Sequence, residues 1–216
     1  MLERGLEPRD AARVYDRIGS KLAMGEPFEG RAKALAASWI EPQAGQRVLE
    51  VGVGTGAFLG QVSQLEGVRA VGLDVSAEML RLTRARAPRA LLVRGSATDP
   101  PLARASFDWL YVGYTLDLFP LARIVPALVE LRELLAPEGR AVICSLSPGR
   151  SALERGLMSL WQGIHRVLGP AAVGGCRPLE LGGLLEAAGF QVLRSEHVGQ
   201  LGTPSSVVLA APGSAP

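Results

Sequence analysis

From Val48 onward, short apolar runs rich in β-branched residues alternate with longer segments of helical spacing. Such an alternation is typical of a parallel sheet that carries helices on both faces. It predicts seven strands, at residues 48–51, 70–73, 90–93, 109–112, 141–144, 191–193 and 207–210. We expect the first five to be interior strands and the last two to form a closing pair. The chain is therefore predicted to adopt an α/β fold.

Apolar residues at helical spacing predict helices between these strands, at 58–65, 77–86, 124–135 and 179–188. Two more helices, at 9–19 and 28–40, precede the first strand. An inserted helix at 151–168 carries a stripe of large apolar side chains, namely Leu153, Leu157, Leu160, Trp161, Ile164 and Leu168. The stripe either packs against the sheet domain or forms a lid over a binding site.

Length and composition predict one globular domain. Of the 216 residues, 48% are hydrophobic and 20% are charged, as in ordinary globular proteins. A chain of this length buries enough surface to fold without a disulfide or a metal. We divide it into an N-terminal helical cap (1–44), a cofactor-binding core (47–145), an inserted lid (151–178), a closing helix with two strands (179–211) and a frayed tail (212–216).

Charge and cysteine content argue against several classes of function. The net charge is +2 and the basic residues are scattered, so nucleic-acid binding gains no support. Two cysteines form no disulfide framework, and neither a signal peptide nor an apolar run of about 18 residues is present. These features predict a cytoplasmic protein without a membrane span. No metal site is predicted, and the sequence gives no indication of the oligomeric state.

A strand, a glycine-rich loop and the start of a helix follow one another at residues 48–57. Gly52, Gly54 and Gly56 let the backbone approach a bound molecule because no Cβ intervenes. The free N–H groups at the start of the helix, near Ala57, favour an anionic group. The loop therefore predicts a cofactor site, although this geometry alone would serve several cofactors.

The next strand ends at Asp74, about twenty residues beyond the loop, where a carboxylate can accept hydrogen bonds from both hydroxyls of a ribose. Val75 and Met79 offer apolar contacts to a flat ring, and Ser96 and Ala97 would close its far side. Together these positions predict a site for a nucleoside with an adenine-like base.

Two cofactor classes compete for this site. Gly52, Gly54 and Ala57 satisfy the dinucleotide pattern G-x-G-x-x-A, which would suit a nicotinamide cofactor. However, Glu50 places a negative charge beside the loop, which favours the amino group and sulfonium of S-adenosylmethionine over a pyrophosphate. The chain also lacks the second, substrate-binding half that a nicotinamide enzyme usually has. Both arguments favour S-adenosylmethionine.

Three segments resemble the class I S-adenosylmethionine-dependent methyltransferases: VLEVGVGTG at 48–56, VGLDVS at 71–76 and FDWLYVGYTLDLF at 107–119. With Tyr15 and Asp16 in the cap and AAGF at 187–190, the chain is most similar to the branch that methylates quinone precursors and phospholipids. The resemblance implies a Rossmann-like sheet of seven strands in the order 3-2-1-4-5-7-6, with the last strand antiparallel. It also implies S-adenosylmethionine as cofactor and S-adenosylhomocysteine as product.

The family's site residues carry over by position. The resemblance implies that Glu50, Gly52, Gly54 and Gly56 surround the methionine part of the cofactor, Asp74 the ribose, and Met79 and Ala97 the adenine. Tyr114 would face the transferable methyl group, and Tyr15 is a further cofactor-binding candidate. Ser96 departs from the family pattern, because most relatives carry an aspartate that accepts a hydrogen bond from adenine; Asp99 is close enough in sequence to replace it.

Methyl transfer requires alignment and the exclusion of water rather than a metal. A base is needed only if the acceptor atom must lose a proton, and His165 and Asp117 are the candidates. The predicted acceptor is a small apolar or aromatic molecule such as a quinone precursor, enclosed by the lid and the cap. Arg155 and Arg166 on the inserted helix could then face an anionic membrane surface.

Three other functions stay open at this point. The first is N-methylation of a phospholipid headgroup. The second, from another class, is a nicotinamide-dependent oxidoreductase. The third is a non-catalytic protein that keeps the cofactor pocket as a scaffold, although the intact Gly52, Gly54, Gly56 and Asp74 argue against such a loss of activity.

Overall fold

Seven strands hydrogen-bond into one sheet in the computed structural model, which describes residues 5–18, 26–169 and 176–213. The strands are β1 Arg47–Val51, β2 Arg69–Asp74, β3 Leu91–Arg94, β4 Phe107–Gly113, β5 Leu135–Leu146, β6 Phe190–Gln200 and β7 Thr203–Pro212. Their order is β3-β2-β1-β4-β5-β7-β6. Because β7 is antiparallel to both its neighbours and the other pairs are parallel, the predicted mixed topology is confirmed.

Helices connect the strands. They are α1 Pro8–Ile18, α2 Glu26–Ser38, α3 Ala57–Val62, α4 Ala77–Arg86, α5 Leu121–Leu134, α6 Ala152–Leu168 and α7 Leu181–Ala187, with a short 3-10 helix at Leu116–Leu118. Gly19, the predicted end of the first helix, lies outside the described residues, as do residues 214–216 of the predicted tail. The predicted helices thus recur in the structure with end shifts of a few residues.

The central strands are buried on both faces because successive side chains point to opposite sides of the sheet. Leu49 and Leu110 join one apolar cluster, which includes residues of α5 and α7. Their neighbours Val48 and Trp109 join a second cluster, which includes residues of α2 and α3. A sheet covered on both faces leaves the ends of its strands, rather than its surfaces, open to a ligand.

The third and the last two strands differ from the prediction. β3 was expected in the interior but forms an edge of the sheet, where Leu91 is 61% exposed; a short apolar run does not reveal how many neighbours a strand has. β6 and β7 extend over 11 and 10 residues, well beyond the predicted runs. Their polar, half-exposed stretches continue the antiparallel ladder as far as a tight turn at Leu201 and Gly202.

Most of the apolar stripe of α6 is exposed, so it does not pack closely against the described part of the sheet domain, which was one of its two predicted roles. Leu153, Leu160 and Leu168 are each at least 60% exposed, whereas Met158 and His165 are the buried residues of the helix. Periodicity identified an apolar face, but the direction in which that face points depends on the rest of the fold. Within the described residues, no helix has the length and apolarity needed to cross a membrane.

Candidate functional site

A cavity of about 660 Å³ lies where β1, β2 and β4 end, with α1 and α2 contributing to its wall. Parallel strands of an open sheet present ligand sites at these ends. The predicted site residues that line it are Tyr15, Glu50, Gly52, Gly54, Asp74, Val75, Met79, Ala97 and Tyr114. Gly56, Ser96, Asp117 and His165 are not among its lining residues. The structure therefore brings together nine of the thirteen predicted positions.

The glycine loop is held close to its neighbours at two points. The N–H of Gly52 donates to the carbonyl oxygen of Leu73 at 2.8 Å, and the φ angles of Gly52 and Gly54 are +73° and +51°. A Cβ on Gly52 would overlap the side chain of Thr115. Any side chain at position 52 would therefore be both strained and displaced, which leaves glycine as the residue that fits.

Gly56 serves the packing of two helices rather than the cavity. It precedes α3 with φ of +78°, and a Cβ there would lie 2.8 Å from the Cα of Thr83 in α4. The contact with the methionine part of a cofactor, which the family resemblance implies, is thus not what its surroundings indicate. Gly56 instead lets α3 and α4 approach each other closely.

Glu50 caps a helix and also lines the cavity. It is 5% exposed, and its Oε2 accepts a hydrogen bond from the N–H of Leu59 at 3.0 Å. Gly56, at the start of α3, has no side chain to cap the helix, so Glu50 satisfies one of its free N–H groups. Burial raises the pKa of Glu50 well above its usual range, and a bound cation would stabilise its ionised form.

Asp74 ends β2 and is 8% exposed. Its Oδ1 accepts a hydrogen bond from the N–H of Ser76 at 2.8 Å. Burial raises its pKa to about 6, against the opposing effect of hydrogen bonds from the N–H groups of Ser76, Gly54 and Val53. These hydrogen bonds hold the carboxyl group at the cavity wall. Because its pKa is close to neutral pH, small changes in its surroundings can alter its ionised fraction.

The N-terminal helix is attached to the same corner of the site. The hydroxyl of Ser76 donates to Oδ1 of Asp16 at 2.6 Å and accepts from the N–H of Met79 at 3.1 Å. Asp16 also accepts from the N–H of Glu78. Asp16 thereby caps α4 from another helix, and this places its neighbour Tyr15 against the cavity. The family resemblance had pointed to these two residues without assigning the contact.

The predicted adenine side is lined by Val75, Met79 and Ala97, of which Met79 is 1% exposed. Ser96 is turned elsewhere: its hydroxyl forms a hydrogen bond with the hydroxyl of Thr98 at 2.8 Å. Asp99 is exposed and does not line the cavity. The apolar residues predicted to contact adenine thus lie together at the cavity, whereas the hydroxyl of Ser96 forms a hydrogen bond within its own loop.

Tyr114 adopts a left-handed backbone conformation with φ of +51°, which is uncommon for a bulky residue. Its N–H donates to the carbonyl oxygen of Cys144 at 2.8 Å, and its hydroxyl forms a hydrogen bond with the hydroxyl of Ser205 at 2.7 Å. The ring, not the hydroxyl, is thus available to the cavity. Burial raises the pKa of Tyr114 far above its usual range, so the phenol is neutral.

The two predicted bases lie outside the cavity. His165 was expected to overhang it but is 2% exposed on the inner side of α6, because the apolar stripe of that helix points outward instead. Asp117 is fully buried in the 3-10 helix, where its Oδ1 has no hydrogen-bond partner among the described residues. Burial raises its pKa to about 7. Neither side chain lines the cavity, although the pKa of the cavity residues Tyr15 and Cys176 is raised by burial and also by the nearby Asp117.

Other cavity residues were not identified from the sequence. Glu29 and Lys33 of α2, Phe58 of α3, Thr115 and Cys176 all line the cavity. A pair such as Glu29 and Lys33, four residues apart, usually indicates a solvated helix face, so no local signal places it at a site. In the part of the chain that the structure describes, no cluster of three or more His, Cys, Asp or Glu could hold a metal ion.

Residues 48–139 match a family model described as a methyltransferase domain. The chain is 31% identical over 145 residues to the biotin biosynthesis bifunctional protein BioHC of Cellvibrio japonicus, which covers 65% of this chain and 28% of that protein. It is 33% identical over 141 residues to the demethylmenaquinone methyltransferase of Beutenbergia cavernae, and this alignment covers 64% of this chain and 55% of that protein. Less than two thirds of each relative's length is therefore represented.

The fold recurs in solved structures. The crystal structure of the cyclase SpnF superposes with a TM-score of 0.75 and covers 98% of both chains, at 16% sequence identity. At that identity the likeness concerns the fold alone. One fold can support unlike reactions, so the reaction has to be argued from the site.

Proposed function

We propose that the chain, whose residues 48–139 match a methyltransferase domain, is a class I S-adenosylmethionine-dependent methyltransferase and that it methylates a small apolar or aromatic acceptor such as a quinone precursor. The observation that carries the proposal is the convergence of two buried carboxylates, Glu50 and Asp74, on one cavity with the glycine loop between them. A cofactor with a cationic amino acid part and a ribose fits that arrangement.

The residues present suit this cofactor. Glu50 would hold the positively charged methionine part of the cofactor, and Asp74 would bind the ribose hydroxyls. Gly52 and Gly54 would leave room for the amino acid atoms of the methionine part. Met79 would contact the adenine. When bound, S-adenosylmethionine supplies an electrophilic methyl group. The protein's own contribution is alignment and the exclusion of water, for which a largely apolar pocket is suited.

The acceptor is proposed to be aromatic or apolar for two reasons. Aromatic rings of Phe58, Tyr111, Tyr114 and Phe119 line the cavity, and flat rings pack well against such surfaces. In addition, a relative with 33% identity is named a demethylmenaquinone methyltransferase. N-methylation of a phospholipid headgroup is the alternative, since the same exposed helix described below would serve either acceptor.

Helix α6 is proposed to contact a membrane surface that holds the acceptor. Leu153, Leu160 and Leu168 are exposed on one side of α6, and Trp161 of the same helix donates a hydrogen bond to the carbonyl oxygen of Cys176 at 2.9 Å. Because Cys176 lines the cavity, this apolar surface adjoins the site. In a sedimentation assay with anionic vesicles, Leu160→Asp should weaken binding, whereas the same substitution at the exposed Leu91 should not.

Of the two alternatives from other functional classes that the sequence left open, one is excluded and one remains. A nicotinamide-dependent oxidoreductase is set aside, because residues 48–139 match a methyltransferase domain. A non-catalytic, and therefore non-methylating, protein that keeps the cofactor pocket as a scaffold is the second candidate. The intact carboxylates of Glu50 and Asp74 favour a protein that still binds the cofactor.

Calorimetric titration with S-adenosylhomocysteine tests the proposal. We expect micromolar-range binding to the wild type and a loss of at least about tenfold in affinity for Asp74→Ala, since a charged hydrogen-bond acceptor is removed (about 1.4 kcal/mol or more). Asp10→Ala, on the exposed side of α1, is the matched control and should bind like the wild type. Absence of binding to folded wild-type protein would refute the cofactor assignment.

Methyl transfer itself needs a second assay. Incubation with radiolabelled S-adenosylmethionine and either demethylated naphthoquinols or phosphatidylethanolamine vesicles separates the two acceptor classes. Label in the quinol supports the proposal, and label in the lipid supports its alternative. Cofactor binding without transfer to either class would favour the non-methylating candidate.

A further inference from the structure

Two charged side chains of α2 lie in the cavity, and the ammonium group of Lys33 also acts on the buried carboxyl group of Glu50, whose pKa it lowers against the effect of burial. Glu29 and Lys33 both line it. The Nζ of Lys33 is 2.6 Å from Oε2 of Glu29 and 5.3 Å from the centre of the Tyr114 ring. The pair is therefore next to the residue that follows β4, where the family resemblance places the reacting methyl group.

This pair is less exposed than several ion pairs on the protein surface. Side chains of Arg104 and Glu133, for example, are 69% and 35% exposed, against 40% and 21% for Lys33 and Glu29. Arginine dominates the basic residues of the chain, and Lys33 is one of two lysines. An ammonium is a compact point charge that can approach a single oxygen atom.

Electrostatics determine what such a lysine can bind. Burial lowers the pKa of Lys33, whereas the carboxylate of Glu29 raises it, and the net shift is upward. The lysine is thus a permanent cation beside a site proposed to hold a positively charged cofactor. Glu29 neutralises Lys33 while it is ionised, but once Glu29 takes up a proton, an oxyanion beside the ammonium group restores the balance of charge. A neutral acceptor would gain nothing from Lys33, but an oxyanion would.

We propose that Glu29 and Lys33 bind the acidic hydroxyl of a phenol-type acceptor, such as a hydroquinone or naphthol, and generate its oxyanion. The inference rests on the proposed function. The O–H bond of the acceptor breaks, its proton passes to the carboxylate of Glu29, and the electron pair stays on the oxygen beside the ammonium of Lys33. The pair thus performs the task that the sequence had assigned to His165 or Asp117, neither of which lines the cavity.

The test measures the acidity of a bound phenol rather than turnover. The probe is 4-nitrophenol, whose neutral and ionised forms differ in visible absorption, titrated between about pH 5 and pH 9 on protein saturated with S-adenosylhomocysteine. The wild type should lower the pKa of the bound probe. Lys33→Met should raise it by about one unit or more relative to the wild type, and Glu29→Gln should lower it further, because each variant removes one opposite charge.

Two controls distinguish this effect from damage to the fold. Arg104→Met removes the cation of an exposed pair and should leave the pKa of the bound probe unchanged. S-adenosylhomocysteine should still bind Lys33→Met and Glu29→Gln, because neither variant removes a side chain that is proposed to contact the cofactor. Shifts of the same sign in both variants, or no binding of the probe to the wild type, would overturn the inference while leaving the proposed function intact. Failure of the cofactor to bind the wild type would overturn both.

Discussion

Raising the pH should tighten cofactor binding through Asp74. The pKa of this carboxyl in the ligand-free protein is raised to about 6 by burial, and the ionised form is the better acceptor for two ribose hydroxyls. Protein with neutral Asp74 must lose a proton before it binds. Affinity should therefore rise as the pH passes upward through about 6.

The magnitude follows from the fraction of Asp74 that is ionised. With a pKa of about 6, about one tenth of the carboxyl groups are ionised at pH 5 and nearly all at pH 8. Apparent affinity scales with the binding-competent fraction. S-adenosylhomocysteine should thus bind about tenfold more weakly at pH 5 than at pH 8, a difference of about 1.4 kcal/mol.

Calorimetry at several pH values, with Asp74→Asn as the comparison, measures this dependence. The amide is nearly isosteric and does not titrate, so the variant should bind weakly with a flatter pH profile. Glu50 also has a raised pKa, and its contribution appears as the slope that remains in Asp74→Asn. A wild-type affinity that does not change with pH, or an equal slope in both proteins, would contradict the assignment of Asp74 as the ribose ligand.

Three other predictions concern packing, the adenine side and buried charge. Gly56→Ala should destabilise the protein by about 2–4 kcal/mol in urea unfolding, because φ is +78° and Thr83 blocks the new Cβ; Gly183→Ala, in open space on α7, should instead stabilise it by about 0.5–1 kcal/mol. Ser96→Ala should weaken S-adenosylhomocysteine binding less than about tenfold, and a larger loss would be inconsistent with its bond to Thr98. Burial raises the pKa of Asp117 to about 7, so the folded protein favours its neutral form, whereas the unfolded chain releases the proton at lower pH. The free energy of unfolding should therefore fall by up to about 4 kcal/mol between pH 4 and pH 7. This fall should be smaller in Asp117→Asn.

Local signals in the sequence predicted the elements that they control directly. Helix α4 spans the residues expected of it because Ser76 caps its start, with its hydroxyl accepting from Met79, and Pro88 follows its end. The glycine loop and Asp74 were placed by their distance from buried strands. Strand order came from the resemblance to a family, since periodicity does not contain it.

Tertiary arrangement explains what the sequence left unresolved. The outward direction of the α6 stripe, and the position of Glu29 and Lys33 at the cavity, depend on how helices dock, which no short pattern encodes. Gly56 was assigned to the ligand from the glycine loop and the family resemblance, and Ser96 from its position just after the third strand. Contacts with Thr83 and Thr98 decide their roles, and these contacts join residues that only the fold or the loop conformation brings together.

The hydroxyl of Ser76 joins the N-terminal helix to the domain, and this has a consequence for protein engineering. Chimeras that exchange the first 40 or so residues between related proteins would transplant the part of the wall that includes Tyr15, Glu29 and Lys33. Such an exchange must preserve one interaction at this corner, namely the hydrogen bond that a hydroxyl at position 76 donates to a carboxylate at position 16. The exchanged N-terminal segment could then change the acceptor preference, while the glycine loop that is proposed to bind the cofactor remains that of the recipient protein.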